Sequence, residues 1–159
     1  MHIYKVSDTT RRDKAQRAYV TSWIKNPDKG SDFDKKTRWI RWLPGWILIR
    51  LMIRLKYDGL LFYEGDQFIG HIFYQRHKYD WRAFSVGVIP RFRGMGFAQK
   101  MLVEFMKHAW AESHLRGVKI GAGGHPKILH ICKKVADNRL GLLFSVKAGD
   151  SPGSILFVR

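Results

Sequence analysis

The chain has 159 residues, 45% of them hydrophobic, enough for one sizeable core and within the usual length of a single domain. Its 29 Lys+Arg against 13 Asp+Glu give a net charge of +16 and a pI near 10.3, which favours polyanionic partners such as nucleotide phosphates, RNA or an anionic membrane surface. One cysteine, Cys132, excludes an intrachain disulfide framework and a thiolate-cluster metal site, and no apolar run approaches the roughly 20 residues that span a bilayer. Nothing at the N-terminus reads as a secretory signal, so a reducing, cytoplasmic location is expected.

In chain order, "HIYKV" alternates as a short strand, and Asp8, Thr9 and Thr10 offer caps for a helix through about Ile24. "KNPDKGSDFDKK" breaks that helix. Thr37 to Lys56, "TRWIRWLPGWILIRLMIRLK", reads as two short helical pieces divided by Pro44-Gly45. Trp39, Trp42, Leu43, Trp46, Ile49 and Ile53 share a helical stripe, with Arg38, Arg41, Arg50 and Arg54 off it or at its edges. That spacing predicts core packing with a solvated basic rim; a membrane-interface helix and an RNA-facing surface are the other readings.

"LLFYEGDQFIGHIFY" predicts a hairpin around Glu64-Gly65-Asp66, and "WRAFSVGVI" the next strand after a turn at Lys78 to Asp80. From Gly96 the period changes: Ala98, Met101, Leu102, Phe105 and Ala109 fall on one face of a helix expected to end near Arg116-Gly117. "VKIGAG" reads as a strand, "PKILHICKKVAD" as a helix opened by Pro126, and "LGLLFSV" with "SILFVR" as a closing antiparallel pair. The fold class is α+β: a mixed, mainly antiparallel sheet of about seven strands with about four helices.

Between a strand and that amphipathic helix lie Arg93, Gly94, Met95, Gly96, Phe97, Ala98 and Gln99. Glycines let a strand turn sharply into a helix, which is one reading of the turn. The other is anion binding: the first amides of a helix lack intrahelical acceptors, the dipole is positive there, and residues without side chains let a phosphate approach.

Val86, Val88 and Pro90 followed by Arg93-Gly94-Met95-Gly96-Phe97-Ala98 resemble the acyl-CoA-binding signature of the GNAT superfamily of acyl-CoA-dependent N-acyltransferases. The element order from His2 to Val158 is similar too. The resemblance implies a strand splayed from its parallel neighbour. It also implies that Val86 and Val88 hold pantetheine, that Gly94 to Gln99, with Arg93, hold the pyrophosphate, and that acetyl-CoA is the co-substrate. A dinucleotide-binding fold is excluded, because its glycine motif opens a βαβ unit in a mainly parallel sheet.

Acyl transfer to an amine needs a neutral nucleophile, donors for the developing oxyanion and a proton for the leaving thiolate. The family often supplies that proton from a Tyr and sometimes uses a Glu as base; here those positions fall near Cys132 and near Lys119 or Ile120. The candidates are therefore Cys132, His125 and Asp80, with His130, and with His71 and Tyr74 on the acceptor side. Cys132 also reads as a small core residue on the apolar face of "ILHICKKV", and Asp80 as an ordinary turn residue.

The expected activity is direct transfer of an acetyl group from acetyl-CoA to a primary amine. A strongly positive protein disfavours small cationic acceptors such as polyamines and favours acidic ones. A non-catalytic nucleic-acid- or membrane-binding protein on the same scaffold, a toxin-like acetyltransferase of aminoacyl-tRNA, and a homodimer stay open.

Overall fold

The computed structural model describes residues 1–9, 13–27, 32–121, 126–137, 145–148 and 154–158. Strand β1 (His2–Lys5) runs directly into a short helix, α1 (Val6–Thr9), and α2 (Lys14–Lys25) follows. The cap of α2 is Asp13, not the expected Asp8 to Thr10: its carboxylate accepts from the amides of Ala15 and Gln16 at 2.8 and 3.0 Å. Val20 and Ile24 bury the inner face of this helix.

Helix α3 (Asp32–Thr37), a 3₁₀ turn (Arg38–Ile40) and α4 (Gly45–Arg54) come next, and the expected core stripe holds for Ile49, with Leu43 and Ile53 packed against the core, but fails at its three tryptophans. Trp39, Trp42 and Trp46 are 73%, 79% and 54% exposed, while Ile40, Leu48, Ile49 and Met52 point inward. The reason is a change of period. The helical run stops at the 3₁₀ turn, Trp42 lies in the turn that follows, and Pro44 ends that stretch before α4 starts on a new phase. Arg41 belongs to the structure and not to the rim, since its guanidinium pairs with the buried carboxylate of Asp34.

Strands β2 (Tyr57–Glu64) and β3 (Gln67–Arg76) form the expected hairpin, with Gly65 at φ 55° in its turn. β4 (Asp80–Val88) pairs antiparallel with β3. After α5 (Phe97–Trp110), β5 (Gly117–Gly121) lies parallel to β4. Helix α5 stops at Trp110, short of the expected Arg116, because the chain turns through Glu112 and buries Leu115 on its way into β5. α6 (Pro126–Asp137) has the expected bounds. β6 (Ser145–Ala148) and β7 (Ser154–Val158) close the sequence as an antiparallel pair.

The sheet order is β1-β2-β3-β4-β5-β7-β6. β1 to β5 make its body, mixed and mostly antiparallel with β4 and β5 as the parallel pair, and β7 then β6 continue beyond β5. Six α-helices appear among the described residues against the expected four or so, because α1 and α3 are short separate pieces. Two apolar layers sandwich the sheet. Leu60, Ile72, Tyr74 and Trp81 meet Met101, Phe105 and Ala109 of α5 on one side, with Cys132 and Val135 of α6. Leu61 and Phe73 meet Val20, Ile24, Leu48 and Met52 of α2 and α4 on the other.

Candidate active site

Among the described residues β4 and β5 pair from Asp80↔Gly117 to Ala83↔Ile120, and β4 continues along β3 to Val88. The end of that pairing coincides with a β-bulge. Tyr74 pairs with Ala83 and Phe73 with Ser85, which leaves Phe84 as an extra residue in β4 immediately after the last parallel pair. A bulge bends and twists its strand. β4 thus runs on past its last described pair with β5, and among the described residues no strand covers that edge of β4 beyond Ala83.

The far end of β4 leads into the glycine turn. A 3₁₀ turn (Pro90–Phe92) follows Ile89, and the Arg93 side chain folds back so that Nε donates to the Val88 carbonyl at 3.0 Å. Gly94 and Gly96 then take φ of 81° and 78°, left-handed values that a side chain disfavours. No atom lies within 4 Å of where a Cβ would stand at either position, so the glycines serve the backbone path and leave open space above it. Gly96 is the N-cap of α5 and makes no side-chain cap. The amides of Phe97, Ala98 and Gln99 thus lack intrahelical acceptors and sit at the positive end of the helix dipole.

That space is a cleft of about 690 Å³. One wall is Val88, Phe92, Arg93, the two glycines and Phe97 to Gln99. The other is a face of α6: Lys127, His130, Ile131 and Lys134. Of the residues expected to hold coenzyme A, all line the cleft except Val86, which packs against the α5-side core, and Met95, which is 62% exposed outside it. The α6 wall is the part that motif reading missed. Its signal was available, since 127, 130, 131 and 134 are spaced i, i+3, i+4, i+7 and share a helix face. Three cationic side chains, Arg93, Lys127 and Lys134, with apolar Val88, Phe92, Phe97 and Ile131, suit a ligand that is part polyphosphate and part apolar chain.

The expected catalytic residues are placed otherwise. Cys132 follows cleft-lining Ile131 but turns into the core, where it is fully buried and burial pushes its thiol up to about 11. Such a thiol is a poor proton donor near neutral pH. Asp80 lies at the start of the β4/β5 pairing, eight residue steps or about 26 Å along the strand from Val88. Its carboxylate accepts from Arg82 Nε at 2.8 Å. His125 lies outside the described residues. His130 lines the cleft, and Tyr74 is buried against Trp81 on the α5 side, with ring centroids 4.6 Å apart.

On the opposite face of the sheet His71 occupies a position that sequence reading named without its partners. Its Nδ1 lies 2.7 Å from the Tyr19 hydroxyl of α2, and its Nε2 lies 3.0 Å from Ser85 Oγ, just past the bulge. The ring is buried beside Phe73 and Trp23, and burial holds it far below the ordinary imidazole value, down to about 3. Gly87 makes the room, because a Cβ there would overlap the imidazole. The result is a neutral ring bridging two hydroxyls, one of them on β4.

No protein-family profile and no curated protein matches the chain in sequence. Solved structures do match in fold. The Campylobacter jejuni N-acetyltransferase PseH in complex with acetyl coenzyme A superposes with a TM-score of 0.62 at 14% identity, over 98% of this chain and 95% of that one. Tetrahymena GCN5 gives 0.60 at 12% identity, over 100% and 97% of the two chains. The ribosomal-protein-alanine N-acetyltransferase from Brucella melitensis gives 0.58 at 15% identity, over the whole of both. With its bulged β4 and glycine turn, the chain has the fold of the GNAT superfamily of acyl-CoA-dependent N-acyltransferases.

Proposed function

We propose that the chain is an N-acetyltransferase that uses acetyl-CoA and moves the acetyl group to a primary amine by direct attack. One observation carries the reading: β4, bulged at Phe84, runs on past its last described pair with β5 straight into a glycine turn that opens a cationic cleft. The residues present fit the co-substrate. Open space above Gly94 and Gly96 admits a pyrophosphate to the α5 amides, and Arg93, Lys127 and Lys134 offer charge to phosphates. The uncovered edge of β4 offers backbone groups to the amides of the pantetheine arm. The acetyl coenzyme A bound to the C. jejuni enzyme of the same fold supports this choice.

Bound acetyl-CoA supplies an activated thioester, so the chain has to add position, hydrogen-bond donors and a route for the amine's proton. In our reading that route begins at Ser85. Its hydroxyl accepts a proton from the attacking amine while passing its own to His71 Nε2; Nδ1–H passes one to Tyr19, and Tyr19 releases one to solvent. The imidazole changes tautomer and stays neutral throughout, which agrees with its depressed value. Cys132 takes no part and is a core residue in this proposal, and the leaving CoA thiolate takes its proton from solvent.

Titration calorimetry with acetyl-CoA, followed by thiol release on adding peptide and small-molecule amines, tests the reading. One-to-one binding and amine-dependent release of CoA are expected. A folded protein that binds no acetyl-CoA would overturn it.

A further inference from the structure

The surface between α3 and β2 has no role in the steps proposed above, and its chemistry is unusual. Lys35, Lys36, Arg38, Arg50, Arg54 and Lys56 are exposed, and no Asp or Glu lies between the first and the last. Among them stand Trp39, Trp42 and Trp46, 73%, 79% and 54% exposed, with Leu55 also 49% exposed. Arg50 lies over the Trp46 ring at 5.3 Å, and Arg54 is one turn further along the same outer side of α4. Three tryptophans left in water beside an aliphatic flank form an apolar patch of the kind that another surface covers.

We propose that this surface docks on an anionic phospholipid bilayer, with the tryptophans at the boundary of headgroups and acyl chains and the Lys and Arg side chains on the phosphates. The charge fixes the sign of the partner: six exposed cations without an acid attract an anionic surface and repel a second copy of a chain carrying +16. The composition selects lipid over nucleic acid. From Arg38 to Lys56 there is no Asn, Gln, Ser, Thr, His or Tyr, so no neutral polar side chain is available to read a base or a 2′-hydroxyl. The tryptophans are instead flanked by half-buried Leu43, Ile47, Leu51 and Ile53, which suit hydrocarbon. Helix α4 has 10 residues, and no helix among the described residues is long and apolar enough to cross a membrane, so the contact is with the surface.

Vesicle co-sedimentation of the full chain tests this, comparing pure phosphatidylcholine with an equal mixture of phosphatidylglycerol and phosphatidylcholine. Binding to the anionic vesicles alone is expected, weakening as salt rises from about 50 to 200 mM. Replacing Arg38, Arg50 and Arg54 together by Gln is expected to weaken partitioning about a hundredfold. Replacing Trp39, Trp42 and Trp46 by Ala is expected to abolish it, with acetyl-CoA affinity unchanged in both variants. In the unaltered protein, lipids brominated on the acyl chain near the headgroup should quench tryptophan fluorescence, a readout that needs no variant. Absence of binding to anionic vesicles, absence of quenching, wild-type binding by the tryptophan variant, or tighter binding to mixed-sequence RNA than to vesicles would each overturn the proposal.

Discussion

The glycine turn and the tryptophan surface are both rich in positive charge, yet they differ in shape, and shape decides what each can hold. At the turn, Arg93, Lys127 and Lys134 converge on a cleft whose floor is backbone, at the positive end of α5. On the segment from Lys35 to Lys56 the cations surround exposed indoles, without backbone amides to share. Charge alone predicts anionic partners for both. Concavity with free amides selects a compact phosphate, whereas exposed aromatic rings among cations select an extended anionic surface. A chain at +16 can thus carry two anion-directed sites that need not compete.

Breaking one site while sparing the other is the strongest way to test that separation. Gly96→Val places a branched side chain at φ 78° over the α5 amides, and acetyl-CoA affinity is expected to fall about a hundredfold with vesicle partitioning unchanged. Loss of both would show that the sites are not independent. Lys127→Gln with Lys134→Gln removes two charges from the α6 wall, and a loss of about tenfold in CoA affinity by calorimetry is expected, diminishing at high salt. Ser85→Ala cuts the path between amine and imidazole and is expected to lower kcat about tenfold with the KM for acetyl-CoA unchanged.

His71 also makes a statement about pH. Its folded value of about 3 lies below the ordinary 6.5, so on acidification the unfolded chain takes up a proton first. Stability is expected to decline from about pH 6.5 toward pH 3, by about 1.4 kcal/mol per pH unit at most from this group. A His71→Phe variant that unfolds with the same pH slope in urea would contradict that assignment. The smallest effect is expected at Cys132: Cys132→Ala should cost about 1 kcal/mol of stability and leave turnover intact.

Local features were legible in the sequence because their causes are local. The hairpin at Gly65, the Pro126 start of α6 and the glycine turn at 94 and 96 each follow from one or two residues. Features that depend on packing were not. His71 could be named, but its partners Tyr19 and Ser85 are 52 and 14 residues away in sequence and meet it only when α2 and β4 pack on β3. The α6 wall had a readable spacing, yet nothing in the sequence says that this face turns toward the glycine turn. The tryptophans were misassigned to the core for a physical reason: a 3.6-residue period was applied across a 3₁₀ turn and a proline. Cys132 drew attention as the position matching a family tyrosine, and its other reading, a small core residue on the apolar face of α6, is the one its burial bears out.

Amide hydrogen exchange with and without acetyl-CoA tests the central claim most directly, because it reads the backbone groups on which the claim rests. Protection is expected at the amides of Gly94 to Gln99 and on the face of α6 from Lys127 to Lys134, with no change from Trp39 to Arg54. Unchanged exchange at Gly94 to Gln99 under saturating acetyl-CoA, or protection confined to other segments, would contradict the account.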